Sequence, residues 1–135
     1  MTRKLPDHLE GFNPFGDYIG LEFTKVGSGH SQCTLEITEN LLNPHRDIHG
    51  AAIFMMADSG MGAALITSIG SDELCSTIET KIIYFKAVAS GTLVCDTRII
   101  HRGKRIAALE SEIKHNGRLI AKALGTWSIY KEKKQ

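Results

Sequence analysis

Apolar and polar residues alternate along two early stretches of the chain. Over 20–26, Leu21 and Phe23 are set against Glu22 and Thr24; over 30–38, Cys33, Leu35 and Ile37 are set against Thr34, Glu36 and Thr38. A period of two marks a strand with one face buried, so the pattern predicts two strands joined by a hairpin turn at Gly27-Ser28-Gly29. Ahead of them, Phe12, Pro14, Phe15 and Tyr18 gather around Gly11, Gly16 and Gly20 in a short irregular or helical lead-in, which either walls a pocket or caps the core. From Gly50 to Ser68 the alternation gives way to an Ala- and Met-rich run, free of proline and apolar on nearly every face, which predicts a buried helix. Glycine inside a helix costs ~1 kcal/mol against alanine, so Gly60 and Gly62 among the alanines imply that something packs closely around that helix. Four further strands follow, Thr77–Val88, Leu93–His101, Arg105–His115 and Leu119–Tyr130, separated by Ser90-Gly91, Arg102-Gly103-Lys104 and the strong hairpin signal Asn116-Gly117. Long antiparallel strands and one buried helix predict an α+β fold, a curved antiparallel sheet wrapped around its central helix.

A length of 135 residues suits one domain spanning 1–135. A net charge of +1 argues against a nucleic-acid partner. The longest apolar run, Ala51 to Ala57, falls far short of the ~20 residues a membrane span needs. A polar start and three cysteines without C-x-x-C spacing fit reduced thiols and a cytoplasmic protein. The closing Lys131-Glu132-Lys133-Lys134 reads as a frayed, solvated tail.

Reactive residue types concentrate in Asn43-Pro44-His45-Arg46-Asp47-Ile48-His49-Gly50 and in Asp58, which the pattern places mid-helix. A buried carboxylate without a partner costs several kcal/mol. Asp58 therefore faces a solvated strip or accepts a structural hydrogen bond, or it serves as general base or nucleophile, a role that contributes roughly 10²–10⁴-fold within reach of the reacting atom. The helix start at His49-Gly50-Ala51 offers unpaired N–H groups and the positive end of the helix dipole. It is an ordinary helix entry, or a cradle for a carbonyl oxygen that gains negative charge under attack. His45, Asp47 and His49 are metal-ligand types, but they precede the helix and have no fixed face from which to converge, so neither a metal nor another cofactor is expected.

The segment Asn43…His49-Gly50-Ala51…Asp58-Ser59-Gly60, preceded by Asn13-Pro14-Phe15-Gly16-Asp17-Tyr18-Ile19-Gly20-Leu21 and followed by Ile82-Ile83-Tyr84-Phe85, resembles the hotdog-fold acyl-CoA thioesterases. Within them it is most similar to the phenylacetate-degradation (PaaI-like) subgroup. His101-Arg102-Gly103-Lys104-Arg105 and Gly117-Arg118-Leu119-Ile120-Ala121-Lys122-Ala123 extend the resemblance over nearly the whole chain. The resemblance implies that Asn43 helps position the thioester or the attacking water, that the Gly50 N–H polarises the thioester carbonyl, and that Asp58 is the base or nucleophile. It further implies that Thr77 helps hold the water, with Ser76 as the alternative because the strand's phase depends on the loop before it, and that His49 buttresses the helix start. Two positions depart from the family's pattern: Ala51 stands where His-Gly-Gly is usual, and Arg46 replaces a glycine three residues after the asparagine. Arg46 either alters the loop path, since glycine adopts positive φ freely, or meets a charged part of the acyl group or of CoA.

Eight residues separate Gly50 from Asp58, about 12 Å along a continuous helix, too far for Asp58 to direct attack on a carbonyl held at Gly50 of the same chain. The expected site combines Gly50 and Asn43 of one subunit with Asp58 and Thr77 of another, so a homodimer is the smallest active unit; the resemblance implies dimers paired into tetramers. Coenzyme A enters only as part of the substrate. Its phosphates call for local positive charge, for which the turn Arg102, Gly103, Lys104 and Arg105 is the candidate, unless it is simply a solvated turn. The expected activity is hydrolysis of an acyl- or aryl-CoA; the alternative is a non-catalytic acyl-CoA-binding module that senses or sequesters the thioester. A hotdog enoyl-CoA hydratase fits less well, because those enzymes carry an upstream Ser-Gly-Asp lead-in and this chain has Glu39-Asn40-Leu41-Leu42. Phe12, Phe15, Phe54, Tyr84 and Phe85 either line the acyl pocket or fill the core.

Overall fold

The computed structural model describes residues 12–133. Gly11 and Lys134, which the lead-in and tail readings include, lie outside that range. In chain order the elements are α1 (Pro14–Ile19), β1 (Glu22–Gly27), β2 (His30–Glu36), a 3-10 turn (Glu39–Leu41), α2 (Gly50–Ile66), β3 (Glu73–Tyr84), β4 (Thr92–Arg102), β5 (Ile106–His115) and β6 (Arg118–Lys131). The six strands form one antiparallel sheet in the order β1-β2-β4-β5-β6-β3, and α2 packs against all six. This is the hotdog arrangement that the family resemblance implies.

Period-two burial along β2, β4, β5 and β6 turns Cys33, Leu35, Leu93, Cys95, Leu109, Ile113, Ala123 and Trp127 toward α2. From the helix, Met56, Met61 and Leu65 answer them with no exposed surface. Burying a side chain of that size stabilises by about 1.5–3 kcal/mol. The small helix residues have the expected use: a Cβ on Gly60 would stand 2.6 Å from Thr97 Oγ1 and one on Gly62 would stand 3.1 Å from the Trp127 ring.

A seam of hydroxyls and thiols runs under this part of the helix. Ser31 Oγ donates to the Gly60 carbonyl at 2.7 Å, Ser111 Oγ to that of Ala57 at 3.4 Å, and the Cys33 and Cys95 thiols lie 3.8 and 3.7 Å from that of Met56. The hydrogen bond with the adjacent Cys95 thiol, and then burial, push Cys33 far above the usual thiol range, so it stays protonated. The alternation does not distinguish these polar residues from apolar ones facing inward.

Several boundaries differ from expectation. The helix stops at Ile66 rather than Ser68, because the Thr67 and Ser68 hydroxyls fold back onto the Ala64 and Leu65 carbonyls at 2.7 and 3.1 Å. β1 begins at Glu22 rather than Gly20, which caps α1 in the left-handed region. β3 begins four residues early at Glu73 and ends at Tyr84 rather than Val88. Beyond Tyr84 the chain leaves the ladder, and the Val88 carbonyl instead accepts from Ile48 N at 2.7 Å, closing this segment onto the loop before α2. Lys131 is not frayed: it ends β6 and pairs with Asp72 at 2.9 Å.

The helix itself is not buried on every side. Ala51, Phe54, Met55, Asp58, Ser59, Gly62 and Ile66, spaced three or four apart, form one strip that is half-buried or exposed in the single chain. The sheet reaches around the rest of the helix and leaves this strip open. No helix among the described residues is long and apolar enough to cross a membrane.

Candidate active site

Two hydrogen-bonded devices hold the start of α2. His49 is its N-cap, and Nδ1 accepts from Ala51 N at 2.9 Å, so the ring is spent on the helix end. His49 N donates to the Leu41 carbonyl at 2.8 Å, and Leu42 and Ile48 bridge across the neck of the loop. Inside that loop Asn43 Oδ1 accepts from His45 N at 2.9 Å and Asp47 N at 3.1 Å. The asparagine carbonyl therefore builds the loop, and its amide nitrogen has no hydrogen-bond partner among the described residues.

Arg46 keeps the loop path that a glycine would take, with φ +69°, and its guanidinium pairs with Glu39.

The Gly50 N–H has no acceptor among the described residues, as the geometry of a first helical turn dictates. Tyr84 covers Gly50: its hydroxyl donates to the Gly50 carbonyl at 2.8 Å, and a Cβ on Gly50 would lie 3.1 Å from the ring. Burial pushes the Tyr84 phenol upward, which keeps it a donor. Asn43, Asp47, Gly50, Tyr84, Phe85 and Lys86 line a cavity of about 350 Å³ at this helix end.

Asp58 lies two turns along, on the open strip, where Oδ1 accepts from Thr77 Oγ1 at 2.8 Å. This settles the phase of β3: Thr77 pairs with inward-facing Trp127, whereas Ser76 pairs with Ser128 and contacts the Tyr130 hydroxyl at 2.7 Å on the opposite face. Ser76 therefore does not share the site with Asp58. A register shift between Thr77 and Glu79 follows directly, a bulge that re-aims the strand beside the carboxylate.

The basic turn lies elsewhere. Arg102 donates to the Ser68 carbonyl at 3.1 Å and to that of Gly103, which places it at the C-terminal end of α2, ~24 Å along the helix from Gly50. Arg102 thereby satisfies a carbonyl just past the helix, while Lys104 and Arg105 are exposed and the Arg105 carbonyl accepts from Ile129 N at 2.8 Å. One chain thus unites Asn43 with Gly50 and Thr77 with Asp58, and leaves the two pairs and the turn apart. Among the described residues no three His, Cys, Asp or Glu side chains converge as metal ligands.

Periodicity did not disclose Lys86 and Asp47 as cavity residues, because both lie in irregular backbone. For α1 the local signal is Asn13 followed by Pro14, a helix start with an N-cap and a proline in the first turn.

The family model of the thioesterase superfamily matches residues 45–121. The chain is 32% identical over 117 residues to a candidate esterase of Saccharolobus solfataricus, covering 86% of this chain and 77% of that protein. It is 26% identical over 97 residues to the acyl-coenzyme A thioesterase PaaI of Escherichia coli, covering 70% and 66%. The solved structure of a conserved protein from Pseudomonas aeruginosa matches with a TM-score of 0.88 at 32% identity, covering 93% of this chain and 100% of that one.

Proposed function

The chain belongs to the thioesterase superfamily, and from that membership we propose that it hydrolyses acyl- or aryl-CoA thioesters to the free acid and CoA. The observation that carries this reading is an unpartnered Gly50 N–H opening on a cavity, on the same helix as an Asp58 carboxylate already oriented by Thr77. The Gly50 N–H and the helix dipole receive the carbonyl oxygen as it becomes negative. Asp58 takes a proton from water as the water oxygen bonds to the carbonyl carbon, or attacks that carbon itself; the C–S bond then breaks and the CoA sulfur leaves to be protonated.

Two features support a dimeric site. β3 is an edge strand of 12 residues whose outer side has no partner strand among the described residues, and a long unprotected edge invites pairing with another chain. Beside it runs the open strip of α2. A two-fold pairing of β3 edges sets two such strips antiparallel, so that Gly50 and Asn43 meet the partner's Asp58 and the partner's Thr77. In that arrangement the partner's Lys104 and the partner's Arg105 extend past the Gly50 end of the helix, where Lys86 also stands, and together they attract the phosphates of CoA. Pairs of such dimers form the tetramer.

The test is thiol release from a panel of phenylacetyl-, hydroxybenzoyl-, short-, medium- and long-chain acyl-CoAs by wild type and Asp58→Asn, with folding and oligomeric state matched. Activity on at least one substrate and a loss of about 10²-fold or more in the variant is expected. Binding without thiol release turns the reading toward a non-catalytic acyl-CoA-binding module. Equal activity in the variant removes Asp58 from the mechanism.

A further inference from the structure

A second cavity, of about 210 Å³, lies on the other side of the helix start, lined by Phe15, Ile19, Asn40, Leu41, Leu42, Ala51 and Ala52. His49 also borders it, so residues 49 and 51 face this cavity while Gly50 faces the cavity that holds Lys86. Gly50 therefore stands on the partition between the two. Their chemistry differs: one contains Asn43, Asp47 and Lys86, whereas among the described residues the other is mainly apolar, with Asn40 and His49 its polar side chains and no Asp, Glu, Lys or Arg. The two substituents of a thioester carbon differ in the same way, one an amide-rich, phosphate-bearing arm and the other an acyl group.

The outer wall of the apolar cavity is α1, and α1 is strapped to the catalytic helix. Asn13 caps it by accepting from Gly16 N at 3.2 Å, and the same side chain donates from Nδ2 to Ser59 Oγ at 3.0 Å, one residue from Asp58. Ala51, a departure from the family's pattern, contributes to the inner wall.

From this geometry we infer that the cavity under α1 receives the acyl group, and that Phe15 sets the acyl length the protein accepts. The inference rests on the thioesterase reading. A 150 Å³ apolar cavity holds benzene, so about 210 Å³ suits an uncharged acyl group of one ring with a short linker or a chain of roughly six to eight carbons. Within that limit kcat/KM rises about fourfold per added methylene, and beyond it kcat/KM stops rising or falls.

The test measures kcat/KM for a straight-chain acyl-CoA series and for succinyl-CoA, and in parallel the affinity of non-hydrolysable thioether analogues. Phe15 is 61% exposed, so Phe15→Ala and Phe15→Trp leave the fold intact, to be checked by the thermal midpoint. The expected result is a break that moves to longer chains in Phe15→Ala and to shorter ones in Phe15→Trp, with succinyl-CoA at least tenfold below a neutral chain of equal length. Asn13→Ala, which releases the strap, blurs the break. If hydrolysis occurs and the break stays fixed in both Phe15 variants, the acyl cavity is wrongly assigned while the thioesterase reading stands. If no thiol is released yet the analogues show the break and its displacement, the activity fails and the cavity assignment survives; a length-independent affinity overturns it.

Discussion

Thr77 donates its hydroxyl to Asp58 Oδ1 at 2.8 Å across the gap between β3 and α2. The donor stands on an edge strand and the acceptor on the central helix, so the carboxylate is aimed by the spacing of two elements and not by its own helix alone.

Removing that donor should cost rate more than affinity. Thr77→Val is expected to lower kcat by about tenfold, in line with the loss of one hydrogen bond to a charged acceptor, with KM little changed, and Thr77→Ser to keep most of the activity. Steady-state kinetics of the two variants checks this; an unchanged kcat in Thr77→Val would show that the hydroxyl is only structural.

A site divided between subunits predicts complementation. Asp58→Asn and Asn43→Ala, each nearly inactive alone, should regain activity when co-expressed, because a mixed dimer places an intact Asn43–Gly50 end against an intact Asp58. Random pairing with one intact site per mixed dimer yields about one quarter of wild-type activity. Recovery no greater than the sum of the two parents would place the whole site within one chain.

Gly60 is the point of closest approach between helix and sheet. Gly60→Ala gains ~1 kcal/mol of helix propensity but forces a methyl against Thr97 Oγ1, and overpacking typically costs about 1–3 kcal/mol. A net loss of up to about 2 kcal/mol in urea unfolding is expected. A more stable variant would mean that the seam yields without strain.

At Arg46 the φ of +69° disfavours any residue with a Cβ. Arg46→Gly should raise the thermal midpoint by a few degrees even though the Glu39 pair is lost. Arg46→Ala keeps the strain, loses the pair and should lower it. Matched midpoints for the two variants would show that the loop relaxes around the side chain.

The fold was legible wherever a strand has one face on the helix and the other in water. β2, β4, β5 and β6 alternate for that reason, and Asn116-Gly117 adopts the positive φ that its hairpin requires. β3 reads poorly because Ile78, Ile83 and Tyr84 are exposed apolar residues on an open edge, so polarity does not report which way they face. Asp58, Gly50 and Asn43 were visible as residues out of keeping with their surroundings. The roles of Asn43 Oδ1 and Arg102 were not, since both are absorbed by nearby backbone groups, and no residue pattern separates a side chain that binds its own loop from one that waits for a ligand. The second cavity depends on Asn13 reaching Ser59, 46 positions away, a relation that local pattern does not carry.

Ser31, Ser111 and the two buried thiols take hold of the carbonyls of Met56, Ala57 and Gly60, just before and just after Asp58. A helix gripped there can neither slide along its axis nor roll without breaking contacts that its own turns do not replace. In the proposed reaction Asp58 is therefore a fixed reference point. Movement to admit a substrate is left to the parts outside that grip: α1 pivoting on Asn13, and the Tyr84 ring lifting from Gly50.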